Sequence, residues 1–454
     1  MTLALTHSVA LLGLEGHLVT VEVDIADGLP GYSLLGLPDA ALTESRERVR
    51  SAIVNCGEVW PNRKVTVSLS PAWLPKSGPS FDLAIAVALL IANQTLPNCE
   101  DTVFLGELSL DGKVRSVRGA LPALLAAAKA GMTRAVVPAA NLAEAKLIVD
   151  LEIIPMQTLA EVLRWLRTGE RAEAEPLDLQ CETEEGLLDF ADVAGQPRAR
   201  LAAEIAATGG HHLLLIGPPG AGKTMIAQRL PTILPKLSIA QALEVTAVHS
   251  IAGTLTQRSP LSLLAPMVSP HHTTTRIAMV GGGSHVIKPG ACSLAHYGVL
   301  FVDEAPECGP GVLDALRQPL ESGTITIARS VGNLTFPAQF LLVLAANPCP
   351  CGKFTGRGHN CTCTSQQVRR YLGKLSGPLM DRIDLRVQVD PVGRVDMARD
   401  ELGESSSVIR SRVMGAREVA IKRFAGMGWS LNSQIPARAL RSTFQPERSA
   451  MNFL

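Results

Sequence analysis

The stretch GPPGAGKT, residues 217–224, decides the fold of this chain. It has the required residue at every fixed position of the phosphate-binding pattern G-x-x-x-x-G-K-[ST]. The apolar run just before it, residues 211–217, predicts a buried strand, and residues 225–234 after it have helical spacing. A strand, a glycine-rich turn and a helix N-terminus direct backbone N–H groups toward an anion. The segment therefore predicts a site for a nucleoside triphosphate.

Each chemical group of this loop has an expected role. We expect Lys223 to contact the β- and γ-phosphates of ATP, and Thr224 to bind Mg²⁺ through its hydroxyl. The glycines let the backbone approach the phosphates closely. The alternative is a glycine-rich loop that matches by chance, and the flanking strand and helix make it the weaker interpretation.

A second motif, YGVLFVDE at residues 297–304, follows at a suitable distance. Its apolar residues predict a buried strand that ends at two acids, and open α/β sheets place ligands at the carboxyl ends of strands. We expect Asp303 to complete the Mg²⁺ shell and Glu304 to act as general base toward water. The alternative is a strand that ends in surface acids. The predicted nucleotide-binding residues are Gly217, Pro218, Pro219, Gly220, Ala221, Gly222, Lys223, Thr224 and Asp303.

Composition limits the possible classes of protein. A chain of 454 residues predicts about three domains. Its 42 basic and 42 acidic residues cancel, so it is not a globally basic nucleic-acid binder. Residues 169–192 nevertheless hold nine acids and one arginine, and residues 352–454 hold seventeen Lys and Arg against nine Asp and Glu. This basic region could bind a phosphate backbone, or it could be a solvated face that balances the acidic stretch; both interpretations stay open.

Targeting signals are not apparent in the sequence. No apolar run of about 18 residues predicts a membrane span, and the N-terminus lacks the basic leader of a signal peptide. Nine cysteines without such a signal favour a reducing, cytoplasmic location. Five of them are scattered and are expected to be packed as small apolar residues: Cys56, Cys99, Cys181, Cys292 and Cys308.

The pattern of elements divides the chain into four parts. Residues 1–166 alternate strands and helices, which predicts an α+β or α/β domain. Residues 167–190 predict an acidic linker, and residues 191–392 contain the phosphate loop and its partners. Residues 393–454 predict a helical part, most clearly at 405–426. Since the chain stops without a capping signal, we expect this last domain to be incomplete.

Further motifs occur in a set order: ADVAGQ, SPHH, AMVGGG, PGACSLAHYGVLFVDEAPE, LDALRQPLESG, AANPCPCG and SGPLMDRIDL. Together with the phosphate loop they resemble the magnesium-chelatase-like branch of the AAA+ ATPases, and within it the bacterial ComM (YifB) group. The resemblance implies an α/β core in which helices flank a parallel sheet, a C-terminal helical lid, and a homo-hexameric ring that hydrolyses ATP between subunits. It further implies a DNA helicase that drives branch migration in natural transformation and recombination. Single-stranded or branched DNA and recombination or DNA-uptake proteins would be its partners.

The resemblance also assigns two catalytic residues. Asn347 matches sensor 1, whose amide orients the attacking water beside Glu304. Arg382 matches the arginine finger, which reaches the γ-phosphate bound by the neighbouring subunit. The alternative for Arg382 is a local salt bridge with Asp381 or Asp384. The sensor 2 arginine of the family is expected beyond residue 454.

Two segments resemble insertions that face the pore of the ring. Residues 278–290 resemble the helix-2 insertion, and residues 324–337 alternate like a hairpin. Lys288 and Arg329 are the candidates for DNA phosphate contacts, and the alternative is that both are ordinary exposed charges. The glycines at 281–283 suit either a mobile loop or a tight turn.

The first block resembles the S5-like domain of Lon protease. Ser80 in PKSGPSFD stands at the position of the Lon nucleophile, but Leu121 stands at or next to the position of the partner lysine. A serine without a base is a poor nucleophile, so we predict no peptidase activity. Ser80 is then a turn or helix-cap residue.

Four cysteines follow sensor 1 in the arrangement CPC-x₉-CTC. Cys349, Cys351, Cys361 and Cys363 suit a tetrahedral, structural Zn²⁺, and His359 could replace one of them. Catalytic zinc is not expected, because four sulfurs leave no open position. Redox-active or inert thiols remain the alternative. Because the cluster follows sensor 1 directly, loss of the metal is expected to loosen Asn347.

Three functions compete at this point. The phosphate loop does not separate a DNA motor from a chelatase-type or protein-remodelling motor, because motor chemistry is shared and fold does not fix function. The Lon-like block argues against the chelatase interpretation, since chelatase motor subunits are expected to lack it. A regulatory ATPase with little turnover is disfavoured by Glu304, Asn347 and Arg382 together.

Overall fold

A computed structural model describes most of the chain. The described residues are 2–170, 188–255, 260–283, 287–329, 332–354, 361–391, 403–445, 447 and 449. Most of the predicted acidic linker, with Cys181, lies outside them, and so does His359.

The N-terminal part is built on a seven-stranded mixed sheet. Its strands are β1 (Thr2–Leu12), β2 (Glu15–Ala26), β3 (Gly31–Leu35), β4 (Lys64–Ser70), β5 (Thr102–Phe104), β8 (Arg134–Pro138) and β9 (Glu152–Met156). A separate small hairpin pairs β6 (Glu107–Leu108) with β7 (Val114–Arg115). The sheet order is β3-β4-β2-β1-β5-β8-β9. The long β1–β2 hairpin is antiparallel, with Thr2 opposite Ile25, whereas β5, β8 and β9 continue the sheet in parallel.

Helices cover both faces of this sheet. They are α1 (Ala40–Thr43), α2 (Ser45–Asn55), α3 (Asp82–Ala92), α4 (Ala120–Lys129), α5 (Leu142–Ala145) and α6 (Leu159–Thr168). Every residue of α3 is buried, because its sequence DLAIAVALLIA is apolar on all sides. Its acid, Asp82, accepts two hydrogen bonds from the Arg48 guanidinium, at 2.7 and 3.0 Å. Helix α4 packs on the opposite face with the residues around β5 and β8.

The second part is built on a five-stranded sheet in which every described pairing is parallel. Its strands are β10 (Leu213–Ile216), β11 (Met267–Val268), β14 (Val299–Val302), β17 (Leu341–Ala346) and β18 (Leu385–Gln388), in the order β11-β14-β17-β10-β18. The central strands β14 and β17 are apolar and wholly buried, as expected of a parallel sheet that is covered on both faces.

Helices and two short hairpins surround this sheet. The helices are α7 (Pro197–Gly209), α8 (Lys223–Ile233), α9 (Ile239–Ala252), α10 (Arg276–Val280), α11 (Ala291–Leu294), α12 (Arg317–Ser322), α13 (Ser365–Leu372) and α14 (Gly377–Met380). The hairpins pair β12 (Gly281–Gly282) with β13 (Lys288–Pro289), and β15 (Thr324–Arg329) with β16 (Gly332–Pro337). The predicted α/β core, a parallel sheet flanked by helices, is confirmed.

The C-terminal part contains α15 (Ser406–Arg423) and α16 (Ala437–Leu440). Helix α15 packs Ile409 and Val413 into the core formed by α7 and α8. Its Arg412 forms ion pairs with Glu204 at 2.7 Å and with Glu404 at 2.8 Å. These contacts favour a structural role for this part of the basic region. No described helix is both long and apolar enough to cross a membrane.

The two sheets are joined through α9. Its Ala247 and Leu243 lie in the same apolar cluster as the residues of α4. At the end of α9, the Ser250 hydroxyl donates to the buried Glu144 carboxylate at 2.5 Å, and the Gly119 N–H donates to the Ser250 carbonyl at 3.1 Å. The N-terminal part is therefore packed directly against a helix of the nucleotide-binding part.

Candidate nucleotide-binding site

The phosphate loop lies between β10 and α8, and its glycines are needed for two different reasons. Gly220 and Gly222 have φ angles of +77° and +91°, in the left-handed region that favours glycine. At Gly217 a Cβ atom would lie 2.1 Å from the Val389 carbonyl oxygen, so a side chain does not fit. Helix α8 then begins at Lys223 without a side-chain cap, and an uncapped helix N-terminus after a glycine-rich loop is the arrangement that binds anions.

Lys223 joins the loop to the neighbouring strand β17. Its ammonium donates to the carbonyls of Gly217 at 2.6 Å and Pro218 at 3.0 Å, and to Asn347 Oδ1 at 3.2 Å. Burial lowers the pKa of Lys223, and the Asp303 and Glu304 carboxylates oppose this shift. The structure thus brings together Lys223 and Asn347, two residues that are far apart in the sequence.

Thr224 and Asp303 form the candidate magnesium site. The Thr224 hydroxyl donates to Asp303 Oδ2 at 2.9 Å, and the Glu304 N–H donates to Asp303 Oδ1 at 2.9 Å. A hydroxyl and a carboxylate oxygen at hydrogen-bond distance are the hard ligands that Mg²⁺ prefers beside substrate phosphates. The residues therefore fit the ion, which would neutralise phosphate charge when bound.

Glu304 has an unusual backbone and an unexpected partner. Its φ angle is +48°, which is rare for a residue other than glycine and marks local strain. Its side chain is about half-exposed, and Oε2 lies 3.2 Å from Nδ1 of His272. The sequence alone assigns His272 no role, although this residue lies in the SPHH motif. Nothing in the spacing of that motif could indicate which histidine reaches Glu304.

Arg382 follows α14 and lies apart from the phosphate loop of its own chain. Its guanidinium forms an ion pair with Glu321 at the end of α12 and donates to the Pro378 carbonyl at 2.5 Å. Asp384, one of the two acids expected as a salt-bridge partner, instead contacts His211 at 2.9 Å. Among the described contacts of Arg382, none joins it to the phosphate loop.

The two predicted pore segments form adjacent hairpins. Lys288 pairs with Gly282 in β12–β13 and is exposed. A Cβ at Gly281 would lie 3.3 Å from Ile327, so β12 contacts β15. Gly281 and Gly282 thus belong to a tight antiparallel pair rather than to an open loop. Arg329 ends β15 opposite Gly332, and its side chain lies outside the described residues.

The four cysteines converge after β17. Three sulfur–sulfur distances, among Cys349, Cys351 and Cys361, are 3.3, 3.6 and 3.6 Å, and all four sulfurs, including that of Cys363, lie within 4.8 Å of one another. Zn–S bonds of about 2.3 Å in a tetrahedron separate sulfurs by about 3.8 Å, so the cluster fits Zn²⁺. A Cβ at Gly352 would lie 2.7 Å from the Pro219 side chain, which places this loop against the phosphate loop.

The Lon-like positions lack the arrangement that peptidase activity requires. Ser80 lies in the turn Pro79–Phe81 before α3, which agrees with its predicted place in a turn. Leu121 is fully buried in α4, and its N–H donates to the Glu144 carboxylate at 3.2 Å. No described hydrogen bond joins the Ser80 hydroxyl to a base. The absence of peptidase activity remains a prediction.

Comparison with known families agrees with this geometry. The sequence model described as magnesium chelatase, subunit ChlI, matches residues 189–397, and a second model described as subunit ChlI of Mg-chelatase matches residues 21–141. The chain belongs to the magnesium-chelatase-like family of AAA+ ATPases. Because the second match lies in the Lon-like block, that block no longer argues against a chelatase-type function.

Individual relatives place the chain within the family. It is 51% identical to an uncharacterized protein of Mycobacterium tuberculosis over 99% of this chain and 89% of that protein. It is 41% identical to competence protein ComM of Haemophilus influenzae, over 96% of this chain and 86% of ComM, and 42% identical to YifB of Salmonella typhimurium, over 97% and 86%. Lon protease of Rhizobium meliloti is 29% identical over 36% of this chain and 22% of that protein. The predicted membership of the ComM (YifB) group and the weaker likeness to Lon are thus confirmed.

Proposed function

We propose that this chain is the subunit of a hexameric motor that uses ATP hydrolysis to move branch points in DNA. The observation that carries the proposal is the convergence of Lys223, the Thr224–Asp303 pair, Glu304 and Asn347 at one edge of the sheet. They include a cation for phosphates, ligands for Mg²⁺ and two groups that can orient water. Similarity to competence protein ComM supports the choice of DNA as the partner.

The proposed chemistry assigns a step to each of these residues. Lys223 would bind the β- and γ-phosphates, and Thr224 and Asp303 would hold Mg²⁺, which would neutralise charge on the phosphates. Asn347 orients the attacking water, and Glu304 accepts a proton from it. Since Arg382 is not joined to the phosphate loop of its own chain by any described contact, it is assigned to the site of an adjacent subunit.

The two adjacent hairpins, β12–β13 and β15–β16, are the proposed contacts to DNA. Lys288 is exposed on the first hairpin, and Arg329 stands on the second. We propose that both contact phosphates of single-stranded or branched DNA, and that recombination or DNA-uptake proteins deliver this substrate. The competing function is a chelatase-type or remodelling motor that acts on a protein.

One experiment separates these two functions. The chain is mixed with ATP and either a forked or a three-strand DNA substrate, and strand displacement and branch migration are followed. We expect ATP-dependent movement, and none with Lys223→Ala, which removes the phosphate contact. A chain that hydrolyses ATP but neither binds nor moves DNA would reject the DNA motor in favour of the protein-remodelling alternative.

Lys288→Ala is expected to weaken DNA binding. The logarithm of the affinity should also depend less steeply on the logarithm of salt concentration, by about one unit for each phosphate that the protein no longer neutralises. Fluorescence anisotropy with a labelled single strand at several salt concentrations measures both effects. Lys129→Ala, which changes an exposed lysine of α4, is the matched control. An unchanged salt dependence in Lys288→Ala would exclude a phosphate contact.

We also propose that the four cysteines hold a structural Zn²⁺, at about one ion per chain. Removing it with a chelator, or substituting Cys361→Ser, should weaken nucleotide binding, because the cysteine loop packs against Pro219 of the phosphate loop. Elemental analysis and titration with a fluorescent ATP analogue measure the two effects. Cys56→Ser, outside the cluster, should keep both the metal and the affinity. Freshly purified protein without zinc would refute this proposal.

A further inference from the structure

The turn between β1 and β2 contacts the hairpin β15–β16 of the nucleotide-binding part. The turn consists of residues 13 and 14, and Gly13 has a φ angle of +63°. A Cβ atom at Gly13 would lie 3.1 Å from the carbonyl oxygen and 3.7 Å from the amide nitrogen of Thr335, which belongs to β16. The two backbones therefore meet directly, and glycine is required both for the left-handed turn and for the close approach.

The two partners in this contact differ in how firmly they are held. Strands β1 and β2 lie in the interior of the seven-stranded sheet, where β1 also pairs with β5, and β2 with β4. Among the described strands, β15 and β16 pair only with each other. A two-stranded hairpin is marginally stable on its own, so it depends on contacts with other elements. The β1–β2 turn provides such a contact from the end of a large sheet.

The base of the β15–β16 hairpin is buried, whereas the next pair of residues outward is not. Ile325 and Phe336, which pair near the base, are 3% and 0% exposed. Thr326 and Thr335 form the next pair, and both are exposed. The contact with the turn therefore supports the hairpin beyond its buried base, on the side of Arg329.

The end of β1 also reaches helix α9. A Cβ atom at Gly119, which precedes α4, would lie 2.4 Å from Leu11 of β1 and 3.2 Å from Ile251 of α9. The preceding residue of α9, Ser250, donates through its hydroxyl to Glu144 at 2.5 Å. The N-terminal part therefore contacts the nucleotide-binding part both at α9 and at β16, with the end of β1 between the two contacts.

We propose that the N-terminal part is a positioning support for DNA binding, in which the β1–β2 turn holds the β15–β16 hairpin where Arg329 meets a DNA phosphate. This assigns the Lon-like block a function other than peptide cleavage. The inference rests on the proposed contact between this hairpin and DNA. It adds Gly13 as the residue that fixes the hairpin from outside the nucleotide-binding part.

The test compares two substitutions by hydrogen exchange and by DNA binding. Gly13→Asn places a side chain against the backbone of Thr335, and asparagine tolerates a left-handed φ angle better than most residues. Gly131→Asn is the matched control. Gly131 has a φ angle of +85°, and no described atom outside its own segment lies within 4 Å of a Cβ placed there. The effect of the backbone angle is therefore common to both variants.

The amides of residues 332–337 should exchange about threefold faster in Gly13→Asn than in Gly131→Asn, because the hairpin loses its support. The affinity for a labelled single-stranded oligonucleotide should fall about tenfold in Gly13→Asn, as expected when one charge-assisted contact to a phosphate is lost. Helix α3, in which every residue is buried, reports on folding. Its exchange should be the same in both variants.

Ser250→Ala tests the contact at α9 without altering the turn. It removes the hydroxyl that donates to Glu144, which keeps its hydrogen bonds from the Asn141 amide and the Leu121 N–H. Residues 332–337 should exchange faster than in the unchanged chain, though less so than in Gly13→Asn. If Gly13→Asn does not fold, equal exchange in Ser250→Ala and the unchanged chain refutes the support.

The outcomes separate this inference from the proposed function. If residues 332–337 exchange equally in Gly13→Asn and Gly131→Asn, the support is refuted, and the ATPase and DNA assignments stand. If exchange rises but the affinity for DNA does not fall, the role of the turn in DNA binding is refuted. If the unchanged chain does not bind DNA, the proposed function fails, and the inferred role of the turn fails with it.

Discussion

Glu304→Gln is expected to lower kcat for ATP hydrolysis by about 10²- to 10⁴-fold, the contribution that a general base commonly makes. The amide keeps the size of the side chain but cannot accept the proton of water. The hydrogen bond of the Thr224 hydroxyl is not affected, because Asp303 supplies the oxygen that it contacts. ATP binding should therefore stay within about threefold of that of the unchanged chain.

The experiment combines a steady-state hydrolysis assay with titration of a fluorescent ATP analogue. Glu307→Gln is the matched control, since this exposed acid lies three residues further on and pairs with Lys374 at 3.5 Å. It should leave kcat nearly unchanged. Normal turnover in Glu304→Gln would remove Glu304 from the role of base, and loss of ATP binding would show that the substitution disturbed the site itself.

Arg382→Ala is expected to lower kcat by about 10³- to 10⁵-fold if its guanidinium acts on the triphosphate of the adjacent subunit. Mixing this variant with Lys223→Ala should restore part of the activity. An Arg382→Ala subunit keeps an intact phosphate loop, and a neighbouring Lys223→Ala subunit supplies an intact arginine. Neither variant alone can form such a pair, so recovery is a direct sign of a shared site.

The ion pair with Glu321 provides the competing explanation for a loss of activity. If Arg382 acts only by holding α12, then Glu321→Gln should lower kcat as strongly as Arg382→Ala, and mixing should restore nothing. If Arg382 acts across subunits, Glu321→Gln should have little effect. Arg386→Ala, which removes a nearby arginine that donates to the Met380 carbonyl, controls for loss of positive charge. Failure to recover activity at any mixing ratio would contradict the shared site.

Local patterns predicted much of this molecule correctly. The apolar runs before Gly217 and Asp303 form parallel strands, because a sheet covered on both faces requires continuous apolar sequence. The glycine-rich loop forms the turn between strand and helix, because Gly220 and Gly222 adopt positive φ angles and Gly217 leaves no room for a side chain. These features depend on residues that are adjacent in the chain, so their pattern is visible without the fold.

Other features depend on contacts between distant segments. The sequence suggests neighbouring acids as partners of Arg382, yet its partner is Glu321, some sixty residues earlier in the chain. The position of the cysteine loop directly after Asn347 suggests an effect on that residue, and the fold packs the loop against Pro219 as well. The contact between Ser250 and Glu144, which joins the Lon-like part to α9, has no local signal at all.

The sequence by itself determined the phosphate loop, the acidic strand end, the parallel core and the family. Each of these can be recognised from short runs of residues that are adjacent in the chain. Only the tertiary structure decided that His272 contacts Glu304, that Lys223 donates to Asn347, and that Arg382 pairs with Glu321. Such side chains meet because the order of strands in the sheet brings their loops to one edge. That order is set by how the whole core packs, and no short stretch of the chain contains it.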